Sequence, residues 1–538
     1  MAPPHLPQGS RCLPANARFF VRAASLFAIL GLCSICAPRA AAAASPAPLA
    51  VFVEEDPSSL DTILNTPYGW QLAPLTQGYL FTVDDRGRLV PDLCREIPTR
   101  ANGGISADGK TISYRIRTGR WSDGAPFDAR DVAFTADALR NPATNVPDRS
   151  TVDRIASVAA PRADVLVVKL KAPSAPFVSS FLTLGAEDPF AILPRHVAAR
   201  YPNLNASSLD SLPVGLGPFR LQRWVRGERL EFVRNAYYWR GPAAADEIVV
   251  RVEPNATTRL LAVRTGDLDV TYLSGLQVDE ARAAGLAVVR KTTNVVDYLQ
   301  FNLRRPALRS RRVREGIARA IDRERLASSI YRGLEEPTDA GQFDPSFAPA
   351  ARLPAYDPAA ARRALAGVPA LDLAIAGVWR SSSGAGVLIA SDLQNAGLTA
   401  TLHSYAPSVF WAPAGSGGIL ESGHFDLALT SWSPGLDPDR SYLFDCAARP
   451  PAGGNAGQYC NPAFDSAEAR GAATYDAAAR RAAYRTAHAI LIRDLPIVPL
   501  GFERSAYAVS RRFENFKPNV LGRDYWNAWE WRTKSSLP

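Results

Sequence analysis

The sequence predicts an α/β protein of several domains, on three observations. Short stretches alternate apolar and polar residues, as in Thr111 to Arg117, where Ile112, Tyr114 and Ile116 share one face of a strand. Between them lie amphipathic helices with readable starts, as in Phe127 to Leu139. The chain has 538 residues, and about 494 would remain after the leader described below, too many for one core and enough for two to four domains. Its 43 prolines are scattered, which suits an ordered protein with many loops.

In chain order, a strand begins at Leu49 and a loop covers Asp56 to Thr66. Trp121-Ser122-Asp123-Gly124 is a turn. Asp128 is the N-cap of the helix that follows, with Asp131 three residues on and Phe127 and Val132 as its hydrophobic staple. Val132, Ala136 and Leu139 form its buried stripe. Val165 to Leu170 is a strand, and Phe219 to Trp224 with Leu230 to Arg234 form a hairpin around Arg226-Gly227-Glu228. Ile248 to Val252 is a further strand, and Tyr298 to Leu303 a short one that runs into Pro306.

Ser310 caps a helix that buries Val313, Ile317, Ala320 and Ile321. Asp322 caps the next, which turns Leu326 and Ile330 inward and stops at Gly333. A strand near Leu371 leads through Ser381 to Gly386 into a helix ending at Asn395, and Leu398 to Leu402 is the strand after it. Phe425, Leu427 and Leu429 alternate as in a half-buried strand, which gives way at Trp432 to Ser433-Pro434-Gly435 and Asp437-Pro438-Asp439. Asp476 starts a long Ala/Arg-rich helix that Pro496 ends, and Ile497 to Phe502 is the last strand before an aromatic tail.

Residues 1–44 form a secretory leader: Arg11, Arg18 and Arg22 precede an apolar run from Ala23 to Ala37, and Ala42-Ala43-Ala44 follows, with cleavage expected after Ala44. Leu32 before Cys33 argues against a lipid anchor. Export makes a disulfide possible among Cys94, Cys446 and Cys460. Cys446 and Cys460 would close a Pro/Gly-rich loop, a clip worth roughly 3 kcal/mol on chain entropy, and would leave Cys94 as a small buried residue.

The whole chain carries +9; the leader holds four arginines and no acid, which leaves 57 basic against 52 acidic side chains, a net of +5. No basic run is interleaved with aromatics, so nucleic acid is not an expected partner. Neither G-x-S-x-G nor H-E-x-x-H occurs, and His196, His403, His424 and His488 have no ligand-like spacing. No catalytic residue, metal or cofactor is therefore expected. The loop Ser381 to Gly386 lacks the G-K-[ST] of a phosphate cradle and reads as a plain turn into a helix.

A large aromatic where a strand meets a Pro/Gly loop suits a ligand-facing wall, and equally a core position. Resemblance weighs in here. Trp121-Ser122-Asp123-Gly124-Ala125-Pro126-Phe127-Asp128-Ala129-Arg130-Asp131-Val132 resembles the signature W-S-D-G-x-P-[FV]-x-A-x-D-[VF] of family 5 extracellular solute-binding proteins, the binding subunits of peptide and nickel ABC importers. Ser58-Ser59-Leu60-Asp61, Gly217-Pro218-Phe219 with Arg234-Asn235 and Tyr238-Trp239, Gly266-Asp267-Leu268-Asp269, Phe301-Asn302, Val313-Arg314 and Ala320-Ile321-Asp322-Arg323 are similar to other family motifs, in the family's order.

The resemblance implies a bilobal periplasmic-binding-protein fold with a hinge, of type II with an extra subdomain. Its first lobe would hold 45–68, 201–297 and 499–538, with the extra subdomain at 69–200, and its second lobe 298–498. It implies a periplasmic monomer that captures a short peptide or peptide-like solute, delivers it to ABC permease subunits at the membrane, and does no covalent chemistry. A sensory or chaperone-like binding protein of the same fold, or a hydrolase with a scattered site, are the alternatives. By the same resemblance Trp432 lines the ligand cleft with Ser433, Gly435 and Asp437, and Thr66, Tyr68 and Tyr298 fall where the family places cleft residues. One departure stands out. Peptide binders often carry an Asp three residues after the Trp, which pairs with the ligand's ammonium; here that position is Gly435, and Asp437 either replaces it or only shapes a turn.

Overall fold

The computed structural model describes residues 47–62, 67–146, 149–205, 214–341, 344–377 and 382–534. The leader, Thr66 and Ser381 lie outside them. The fold is α/β and bilobal. Leu49–Val53, Glu247–Val252, Arg229–Arg234 and Phe219–Val225 form a four-stranded sheet in that order, with Leu49–Val53 parallel to its neighbour. Thr111–Arg115, Val165–Leu170 and Ile155–Arg162 form a three-stranded sheet. The largest sheet runs Val270–Tyr272, Ile497–Val509, Ala287–Phe301, Leu427–Trp432, Leu371–Ala376, Ala400–Tyr405, with Glu335–Pro337 on the edge of Ile497–Val509.

Each sheet region has its own apolar core. One collects residues between Leu80 and Leu216, including the fully buried Trp121, Tyr114 and Phe181. A second packs helices Arg311–Ala320 and Ser382–Asn395 on the large sheet, with Ile317, Leu373, Ile389 and Val498 at its centre. A third joins the first strand to the aromatic tail through Val51, Phe232, Tyr507 and Trp531.

Two strands link the second and third cores. In Ala287–Phe301 the first half pairs with Arg504 to Val509 and the second half with Ile497 to Phe502. The register breaks between Thr292 and Val296, and the residues of the break are held by contacts other than ladder pairs. Thr293 Oγ1 donates to Glu503 O at 3.3 Å, and Asn294 N donates to Val520 O at 2.7 Å. Both strands are far longer than their alternation suggests, because this break interrupts the period of two on which such a reading rests.

Three of the four expected helix starts carry side-chain caps; Ser310 stands at the N-cap position of Arg311–Ala320, but its side chain makes no capping hydrogen bond. Asp128 accepts from Arg130 N at 2.8 Å and Asp131 reaches back to Asp128 N at 3.0 Å, a reciprocal capping box. Asp322 and Asp476 each accept from the third backbone amide of their helices, at 3.0 and 2.8 Å. Leu427 to Thr430 is buried on both faces, so this strand is central and not half-buried as its alternation predicts; Ala428 and Thr430 are small enough to pack inside. The last strand of the parallel trio is Ala400–Tyr405, two residues later than expected.

Cys446 and Cys460 are joined by a disulfide, and Cys94 is a free, buried thiol. Peptide mapping without reductant should recover the two half-cystines in one linked fragment; free thiol at both positions would contradict the clip.

Candidate functional site

Trp432 ends the central strand Leu427–Trp432, directly opposite Val296 on the strand that crosses between cores. It is half-buried, and its indole Nε1 donates to the Glu187 carboxylate, which comes from the 80–216 core region. The Arg440 guanidinium lies over the indole ring, 4.6 Å from its centroid. Tyr298, two positions from Val296 and paired with Thr430, is buried beside them. Burial, and then the charge of Glu187, raises its phenol well above the usual range. Trp432 and Tyr298 line a cavity of about 40 Å³ with Asn294, Val296 and Phe502, space for two or three water molecules.

The loop after Trp432 is gripped from three sides. Asn294 Nδ2 donates to Pro434 O at 2.8 Å and to Gly435 O at 3.2 Å, which ties the loop to the register break. On the second side Leu436 N donates to Gly185 O at 3.2 Å. A Cβ on Gly435 would stand 3.0 Å from Gly185 O and 3.1 Å from Glu187 N, so any side chain there would press on the opposite backbone. The third side is helix Ala477–Asp494: Arg480 Nη2 donates to both oxygens of Asp437 at 2.6 Å, and His488 Nε2 contacts Pro438 O at 3.3 Å. Burial, and then Arg440, lowers the His488 pKa to about 3.

A second cavity, of about 80 Å³, lies between this loop and the 80–216 region. Gly435, Asp437, Asp439 and Ser441 line one wall, and Arg154, Ser180, Glu187 and Asp188 the other. Its acids have cations close by. Arg154 stands 3.5 Å from Asp439 and Arg480 holds Asp437, while Arg523 Nη2 donates to the backbone carbonyl of Glu187 at 3.1 Å.

The structure thus brings Trp432, Tyr298, Gly435 and Asp437 to two adjoining cavities, with Ser433 half-buried between them in sequence. Tyr68 is not with them. It packs on the core of the first strand, where burial and the nearby Glu54 raise its phenol, and it lines neither cavity. Glu187, Asn294, Arg440 and Arg480 are the participants that sequence reasoning missed. They come from four separate segments and belong to no motif. Among the described residues no group of three or more His, Cys, Asp or Glu could hold a metal ion. No helix among them is long and apolar enough to cross a membrane.

If the indole forms a wall of the ligand site, Trp432→Ala should weaken solute binding by about 1–3 kcal/mol while the fold survives, since the ring is only half-buried. Calorimetry with thermal unfolding checks this; a large fall in melting temperature with unchanged affinity would make the indole a core residue.

The model of the bacterial extracellular solute-binding proteins, family 5, matches residues 88–451. An ABC transporter peptide-binding protein of Brucella ovis is 29% identical over 266 residues, 48% of this chain and 49% of that protein, so the matched stretch spans about half the length of that relative. The peptide transport periplasmic protein SapA of Salmonella typhimurium is 27% identical over 473 residues, 81% of each chain. The structure of the oligopeptide-binding protein AppA of Bacillus subtilis superposes with a TM-score of 0.80 at 19% identity, over 91% of this chain and 99% of that one. With its family model matched over most of its length, this chain belongs to the bacterial extracellular solute-binding proteins of family 5.

Proposed function

We propose that the protein is a periplasmic substrate-binding subunit of an ABC importer. It captures a short peptide or peptide-like solute between its lobes and hands it to membrane permease subunits. The leader pattern of residues 1–44 supports export, and the names of SapA and AppA support a peptide-like cargo. The carrying observation is the Trp432 loop, which meets the opposite wall beside the cavity of about 80 Å³.

The ligand is held without an ammonium clamp on this loop. Gly435 stands where a carboxylate would be, and its Cα packs against the Gly185 to Glu187 backbone. Asp437, the nearest acid, is bound to Arg480 through both oxygens. A buried ammonium with no such partner is costly. Affinity should therefore depend little on a free ligand N-terminus. Calorimetry with Ala-Ala-Ala and its N-acetylated form measures this; loss of tight binding on acetylation, reproduced by Asp437→Asn, would refute it.

A further inference from the structure

Away from the hinge, a second set of contacts joins the 80–216 region to the segment between helices Pro462–Ala473 and Ala477–Asp494. Tyr475 is its centre. The ring packs on the partly buried margin of the 80–216 core, although it belongs to a segment whose neighbouring helices pack on the large sheet's side. Its hydroxyl lies 3.0 Å from Ser174 O and 3.2 Å from Gly109 O. The Arg100 guanidinium caps the ring at 5.0 Å. Gly109 has φ +71°, and a Cβ on it would come within 2.8 Å of the ring, so the socket is shaped by a residue without a side chain. Beside it Ala175 N donates to Ala472 O at 2.7 Å. Arg154 then bridges inward, donating to Ser174 Oγ at 2.8 Å and standing 3.5 Å from Asp439.

These contacts flank the cavity of about 80 Å³ on the side of Arg154 and Asp439, and the Gly435–Gly185 contact flanks it at the other. Rotation at the register break of the two long strands would separate the walls and draw Tyr475 from its socket. The rim contacts run directly from protein to protein, so closure here needs no solute bridge.

We propose that Tyr475, seated in the Gly109–Ser174 socket, is a closure latch that holds the two walls together and so sets how readily the cleft opens. The latch concerns the same cleft and rests on the binding reading. Its test reads closure alone, so it can fail while the protein still binds a peptide, or succeed while the cargo proves to be something else.

The test is a crosslink in the full chain, freed of solute by unfolding, dialysis and refolding with its disulfide intact. Ala175→Cys with Ala472→Cys places two thiols across the rim. Under mild oxidation they should couple at a rate set by the fraction of molecules that are closed. Adding Tyr475→Ala should lower the closed-to-open ratio by roughly tenfold, the equivalent of about 1.4 kcal/mol, and slow the coupling accordingly. Tyr475→Phe keeps the ring, loses the hydroxyl contacts and should fall between the two. It also serves as the test if the alanine variant does not fold. Absence of coupling in the parent pair, or equal coupling rates with and without the Tyr475 substitution, would overturn the latch.

Discussion

Arg480→Ala is expected to lower the stability of the fold by about 3–5 kcal/mol, the usual effect of removing one partner of a buried ion pair. The two side chains are only 18% and 12% exposed, and Arg480 Nη2 is 2.6 Å from both oxygens of Asp437. Without Arg480 the carboxylate stays in the wall with no cation bound to it, holding only Asp439 N at 3.1 Å and the Tyr484 hydroxyl at 3.5 Å. The double variant Arg480→Ala with Asp437→Asn should recover much of the loss, because the uncompensated charge is gone. Chemical denaturation of the single and double variants measures this. If the single variant is as stable as the parent, Asp437 is not held as described and is open to serve the ligand.

Glu335→Gln should stabilise the protein at neutral pH by an amount on the order of 3 kcal/mol and flatten its stability between weak acid and neutrality. Glu335 is buried beside the crossing strands, opposite Glu503 in register and packed on Gly501. Burial first, and then the charge of Asp297, pushes its carboxyl up to about 10. The folded chain therefore keeps this proton through neutral pH, while the unfolded chain loses it near 4.5. Between those values the folded state binds more protons, so its stability falls as pH rises, by about 1.4 kcal/mol per unit from this group. Denaturation at pH 5 and pH 7.5 should show the parent losing more than the variant. Parallel curves would mean that Glu335 is ionised in the folded chain.

Much of the fold was legible because its local devices are written in adjacent residues. Asp128 with Asp131 announces its capping box, and Asp322 and Asp476 their helix starts. The motifs that carry the family resemblance turn out to be structural. Trp121 fills a core, Asn235 donates to Gly217 O at 2.9 Å, and Asn302 donates to Phe425 O at 2.9 Å. Asp269 receives Arg512 at 2.7 Å and Ala50 N at 2.9 Å, which ties both chain ends to one carboxylate. Such motifs mark the scaffold and say little of the cargo.

The site was legible only where one segment holds it. Trp432 at the end of a strand and the turn after it could be read directly, and Gly435 gained its meaning from the carboxylate it lacks. Its physical reason, contact with the backbone of Gly185 to Glu187, depends on a segment some 250 positions away in the chain. The same holds for Asp437, whose partner Arg480 sits on a later helix, and for Asn294, hidden in a register break that no periodicity signals. Pairings of that separation are set by tertiary packing, and neither propensity nor spacing encodes them.

The measurement that tests the account most directly is mass spectrometry of solute carried through native purification, on the parent protein and on Trp432→Ala in parallel. The parent should carry a short peptide or peptide-like compound in near-stoichiometric amount, and the folded variant should have lost most of it. The same compound retained equally by both proteins would place the solute away from Trp432 and contradict the site described here.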